Sequence, residues 1–99
     1  MTDDRTRIAK MLDNYRGLLR QFASGEIPAE AFESAYLARF KNDQDQVGGD
    51  EFDVLDELFG DVDDYCEDDR LRNETGGISG EELRNRARTA YSRLFGEAL

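Results

Sequence analysis

"GGDEFDVLDELFGDVDDYC", residues 48–66, decides the fold. A strand in this position would alternate apolar and polar residues. Instead Phe52, Leu55, Phe59, Val62 and Cys66 recur at spacings of three and four, the pattern of one apolar stripe on a helix. Gly48–Gly49 followed by Asp50 supplies a linker end and an N-cap, so a helix is predicted from about Asp50 to Cys66.

The same stretch contains the letters GGDEF, which resemble the motif of diguanylate cyclases, and "FKND" (40–43) resembles another part of those enzymes. Both matches are coincidental. The cyclase domain is considerably longer than 99 residues, its two motifs stand far apart, and its GGDEF turn lies on a β-hairpin. Here four residues separate Asp43 from Gly48, and helical spacing follows.

Working outward, three more segments carry helical stripes. The first runs from about Asp3 to Ala23, with Ile8, Met11, Leu12, Tyr15, Leu18, Leu19 and Phe22 on one wide face and Gly25 at a C′ position. The second opens at Pro28, as a first helical residue, and places Phe32, Ala35, Tyr36 and Phe40 together. The last is opened by Ser79 and Glu82 at capping-box spacing and carries Leu83, Ala87, Ala90, Tyr91 and Leu94. "NDQDQVGG" (42–49) and "EDDRLRNETGG" (67–77) are predicted connectors. The phenylalanines are expected in the core, and Tyr15, Tyr36 and Tyr91 at its edge with hydroxyls reaching water. The expected fold is all-α: one domain over residues 1–99, an antiparallel four-helix bundle.

Charge is distributed unevenly. Of the 23 acids, 13 lie in residues 42–69, where there is no Lys or Arg; the other 10 face all 13 bases, a local balance of +3. Such a field repels nucleic acid and anionic membranes and attracts a basic partner. No apolar run approaches the ~20 residues that span a bilayer. "MTDDRTRIAK" has acids and no apolar core, unlike a signal peptide. With one cysteine, Cys66, no internal disulfide can form. These features predict a cytoplasmic protein that binds neither nucleic acid nor membrane.

Several chemistries are excluded or disfavoured. Without histidine, Ser-His and Cys-His nucleophiles are impossible. Cys66, beside Glu67, Asp68 and Asp69, sits in a field that discourages the thiolate. An EF-hand loop begun at Asp61 has Tyr65, Cys66 and Arg72 at positions 5, 6 and 12; one begun at Asp43 has Val47 and Val54 at 5 and 12. Neither closes a calcium cage. Acyl carrier proteins are also small, acidic and helical, but Glu51 stands where their attachment serine would be. No cofactor, dedicated metal site or catalytic activity is expected.

The acids on the third segment need an account beyond solvation, which usually mixes signs. Pairs 53/57, 57/61 and 64/68 are like charges four apart, each costing a few tenths of a kcal/mol. Acids at the C-terminal end also oppose the helix dipole. Carboxylates one turn apart lie about 5–6 Å from each other, a spacing similar to that of successive phosphates. A helix so charged can fill the basic groove of a nuclease.

The chain resembles the colicin D-type immunity proteins, inhibitors of tRNA-cleaving toxins. The resemblance is carried by "YRGLLRQFASGEIPAEAFESAYLARFKND" (15–43), "FDVLDELFGDVDDYCEDDRLR" (52–72) and "GISGEELRNRARTAYSRL" (77–94). It implies an antitoxin that occludes the basic active site of a cognate cationic nuclease toxin domain, its acids standing in for the tRNA backbone. The residues it points to are Asp56, Glu57, Asp61, Asp63, Asp64, Glu67 and Asp68, with Tyr65 either an aromatic anchor or a core-edge residue. Arg70 and Arg72 are expected to pair with neighbouring acids, and Arg84, Arg86, Arg88 and Arg93 to balance the acidic face within the molecule. The alternative is an acidic nucleic-acid mimic or adaptor for a host DNA-binding protein.

Overall fold

A computed structural model describes residues 4–96; the expected helix start at Asp3 lies outside them. Among the described residues there are five α-helices and no strand: α1 (Asp4–Ala23), α2 (Ala29–Asn42), α3 (Asp50–Asp63), α4 (Asp69–Thr75) and α5 (Gly80–Phe95). The chain is all-α, as its periodicity predicts. The four long helices meet in a ring, α1 against α2 and α5, and α3 against the same two, while α2 also reaches α5.

One core fills the ring. Met11, Tyr15, Leu19, Phe22, Phe32, Tyr36, Leu55, Val62, Leu83, Ala87 and Tyr91 are fully buried in it. Phe22 stacks on Phe32 with centroids 4.2 Å apart. Phe40, Phe52 and Phe59 are only half-buried and form a stacked margin between α2 and α3, with 4.5 Å between Phe40 and Phe59.

Tyr15, Tyr36 and Tyr91 depart from expectation, being fully buried rather than at the core edge. Tyr36 Oη donates to Leu55 O at 2.8 Å and Tyr15 Oη to Asp43 Oδ2 at 2.7 Å, so these hydroxyls bond to protein rather than to solvent. Burial foremost pushes both phenols well above their ordinary pKa; the Asp43 bond adds to it at Tyr15. The Tyr15 bond also explains the 43–49 connector. Asp43 and Asp45 both accept from Asn14 Nδ2, and Lys10 pairs with Asp45 at 3.4 Å. Two of the 13 clustered acids therefore fasten this loop to α1.

The helix ends follow local chemistry with small shifts. Gly25 (φ +87°) closes α1 in a Schellman turn: its N–H reaches Phe22 O, and that of Glu26 reaches Gln21 O at 2.8 Å. Pro28 is the N-cap of α2 rather than its first residue, and Gly49 (φ +143°), not Asp50, is the N-cap of α3. That φ is open to glycine and strained for other residues. Ser79 Oγ accepts from Glu82 N at 3.1 Å, while the Glu82 carboxylate turns to Arg86 instead of closing the capping box.

The main correction lies after α3. The helix ends at Asp63, three residues short of Cys66, and part of the predicted 67–77 connector is α4. Residues 65–66 instead run beside 78: Ile78 N donates to Asp64 O at 3.0 Å and Cys66 N to Ile78 O at 2.9 Å. Asp68 then caps α4 by accepting from Arg70 N and Leu71 N, and Gly76 (φ +75°) ends it.

Candidate interaction surface

The predicted site residues belong to α3 and the segment that follows it. Val54, Leu55, Leu58 and Val62 point into the core, which turns the opposite face of α3 outward. At 100° per residue that face holds Asp53, Asp56, Gly60 and Asp63, flanked by Glu57 and Asp64. All six are exposed. Phe52 and Phe59 mark the flank toward α2; Glu57 and Asp61 mark the flank toward α5.

The two flanks differ electrostatically. On the α5 side, Arg86 pairs with both Asp61 and Glu82, and Arg93 pairs with Glu57 at 3.4 Å. Hydrogen bonds that Arg86 donates to Asp61 and then to Glu82 hold its guanidinium above its ordinary pKa. The Asp61 side chain is only 23% exposed, whereas that of Glu57 is 72% exposed. On the α2 side no Lys or Arg of the described residues pairs with the outward acids, Arg39 reaching Asn14 O instead. Glu33 stands near Glu30 and Asp63, and its carboxyl is pushed above the usual range, first by partial burial and then by those two charges.

The eight predicted residues therefore separate into three groups. Asp56, Asp63 and Asp64 are exposed and make no side-chain hydrogen bond or ion pair among the described residues. Glu57 and Asp61 are held by α5. Tyr65, Glu67 and Asp68 serve the turn: half-buried Tyr65 packs against the core and its hydroxyl donates to Glu67, while Asp68 caps α4. Tyr65 is thus a core-edge residue. Charge counting does not point to Glu33, because α2 is mixed in sign; only packing brings it, with Glu30 near it, beside Asp63.

The arginines divide likewise. Arg70 and Arg72 do pair with neighbouring acids, Arg70 with Glu74 at 4.0 Å and Arg72 with Asp69, and Arg72 also bonds Cys66 O at 3.0 Å. On α5 only Arg86 and Arg93 balance the acidic face. Arg84 donates to Phe22 O (3.0 Å) and Ile27 O (3.1 Å), and Arg88 to Ala23 O (2.9 Å). They satisfy carbonyls at the C-terminal end of α1 and bring positive charge to its negative pole.

Around the end of the molecule, Pro28, Glu30, Tyr65, Glu67, Glu81 and Arg84 help line a shallow groove of about 310 Å³ that continues the acidic surface. Among the described residues no three Cys, Asp or Glu side chains converge as metal ligands would, and no helix is long and apolar enough to cross a membrane. A rigid, outward-facing group of carboxylates without counter-ions is suited to receiving a cationic surface.

No curated protein and no solved structure matches the chain in the comparisons made. A family model, described as bacterial self-protective colicin-like immunity, matches residues 11–94, which take in most of α1 and α5, all of α2 and α3, and the candidate surface. The chain belongs to this family of colicin-like immunity proteins, inhibitors of bacteriocins rather than enzymes.

Proposed function

We propose that this chain is an immunity protein of the colicin D type, which binds the catalytic domain of a cognate nuclease toxin, a tRNase, and occludes its basic active site. The observation that carries this reading is the unpaired row Asp56, Asp63 and Asp64, beside α5-facing acids that have their own arginines. Carboxylates without internal partners keep their full field for a cationic groove, where they stand in for the phosphates of the RNA. Glu33 widens the row on the α2 side. The partner is protein, not nucleic acid or membrane, and the complex forms in the cytoplasm without a cofactor. The ring of contacts supports an antiparallel bundle of α1, α2, α3 and α5, and the single core supports one domain over residues 1–99.

The test uses cells challenged with the bacteriocin against which the chain protects, together with tRNA cleavage by its purified cytotoxic domain. Wild-type protein is expected to protect cells and to stop cleavage at equimolar ratio. Asp56→Lys with Asp63→Lys is expected to abolish both while leaving helicity unchanged by circular dichroism. Retained protection by the double variant overturns the assignment of the surface. Inhibition of a toxin that does not cleave RNA overturns the tRNase reading.

A further inference from the structure

Helix α4 is closely capped yet buries no apolar side chain. None of its seven residues is buried, and it makes no substantial packing contact with any other helix. Isolated helices of this length are not stable in water. Here Asp68 supplies two N-terminal hydrogen bonds, Gly76 N closes on Arg72 O at 2.9 Å, and Thr75 Oγ1 donates to Leu71 O at 2.9 Å. The pairing of 64–66 with Ile78, and Arg72 on Cys66 O, fix this capped helix to the bundle. Its Leu71 is 50% exposed and is the exposed large hydrophobic side chain among the described residues.

Charge tells what α4 faces. Residues 63–75 hold six acids against two arginines, and both arginines are paired within α4 or its cap. An apolar side chain in an acidic surround fits a cationic protein surface and not an apolar or anionic one. The segment is also continuous with the outer row of α3 through Asp63 and Asp64.

We infer that Leu71 on the preformed α4 is an apolar anchor, which enters a pocket rimmed by basic residues on the same cationic toxin domain. This rests on the proposed function and extends its interface beyond α3. In this arrangement the carboxylates steer the encounter and set its salt dependence, whereas Leu71 sets how long the complex lasts. A helix ordered in advance keeps the entropic cost of docking that anchor low.

The experiment compares Leu71→Ala, Leu71→Met and the Asp56→Lys/Asp63→Lys double variant. Each is measured for association and dissociation against the cytotoxic domain of the bacteriocin to which the chain confers protection. Alanine favours the helix and Leu71 has no core contact to lose, so circular dichroism and the melting temperature should be unchanged. Leu71→Ala is expected to raise the dissociation rate about 30-fold, as loss of an interface anchor does. Its association rate and salt dependence should stay those of wild type, and Leu71→Met should recover most of the affinity. If Leu71→Ala dissociates within twofold of wild type, the anchor is wrong; the acidic surface then stands if the double variant fails to bind. If the double variant binds like wild type, the proposed function falls whatever Leu71 does.

Discussion

Within α3, acids of the same kind, a turn or less apart, do opposite things. Glu57 and Asp61 face α5 and are paired with Arg93 and Arg86, joining two helices. Asp56 and Asp63 face outward and make no ion pair among the described residues, and Asp63 has an acid, Glu33, for a neighbour. The first flank contributes to the fold; the second, where like charges lie side by side, weakens it slightly and is the surface proposed for the partner. Acid density alone does not distinguish the two. What separates them is which helix lies alongside, and α5 brings arginines where α2 brings glutamates and phenylalanines.

That contrast predicts a ranked set of effects. The largest is on binding. Charge reversal in the outer row, Asp56→Lys with Asp63→Lys, should cost about 3–5 kcal/mol of affinity for the cytotoxic domain, much of it through slower association. Unfolding in urea should show stability unchanged or slightly raised, because like charges have been removed. A stability loss equal to the binding loss would erase the distinction between the flanks.

Next comes Gly77, in the turn between α4 and α5 that packs against residues 64–66. A Cβ added at Gly77 would lie 2.6 Å from Asp64 O, a backbone atom that accepts from Ile78 N. Gly77→Ala should therefore cost about 1–3 kcal/mol in stability, as overpacking does elsewhere. It should also weaken binding by displacing Asp64 and α4 together. Chemical denaturation followed by titration with the toxin domain separates the two losses.

Smaller effects come from α3 itself. Asp61→Asn should lower stability by about 0.5–1 kcal/mol, less at high salt, without a comparable loss of affinity. Gly60 sits in the middle of the outward row with open space where a Cβ would go. Gly60→Ala should raise stability by about 0.5–1 kcal/mol, which for a domain of this size means a melting temperature several degrees higher. If this alanine also impairs binding, the partner approaches the backbone between the Asp56 and Asp63 turns, which would sharpen the map of the outer row.

The sequence foretells the four long helices because each has a sustained apolar stripe, and Ser79 and Gly25 mark their ends. It does not foretell α4, which has a single apolar residue, Leu71, and so no period to detect. The signs of α4 are its caps, Asp68 and Gly76, which look like ordinary loop residues until the backbone is seen. Within the acidic segment, composition points to α3 as the proposed interaction face but cannot tell Asp56 from Asp61, since the difference is made by Arg86, 25 positions away in the chain. Glu33 is invisible for the same reason. Arg84 and Arg88 look like counter-charges for the acids, whereas the turn after α1 brings bare carbonyls within their reach.

The smallest predicted effect is on pH dependence, and it reads the outer row directly. Partial burial, then Glu30 and Asp63, hold the Glu33 carboxyl above its ordinary pKa in the folded protein. The folded state therefore binds this proton more tightly than the unfolded chain does. Stability from this group is lowest at neutral pH, where Glu33 is charged in both states. It rises as pH falls through the raised folded value and stops rising below the unfolded carboxylate range, near about 4.3. Glu33→Gln should be the more stable protein at pH 7, with an advantage that shrinks as the solution is acidified. A cationic partner reverses the local field, draws the Glu33 pKa down, and must release a proton on binding within that window. Calorimetry in buffers of different ionisation enthalpy will detect this release, and Glu33→Gln should abolish its share. An unchanged release in the variant would place the toxin on the α5 side of α3, over the acids that already have partners.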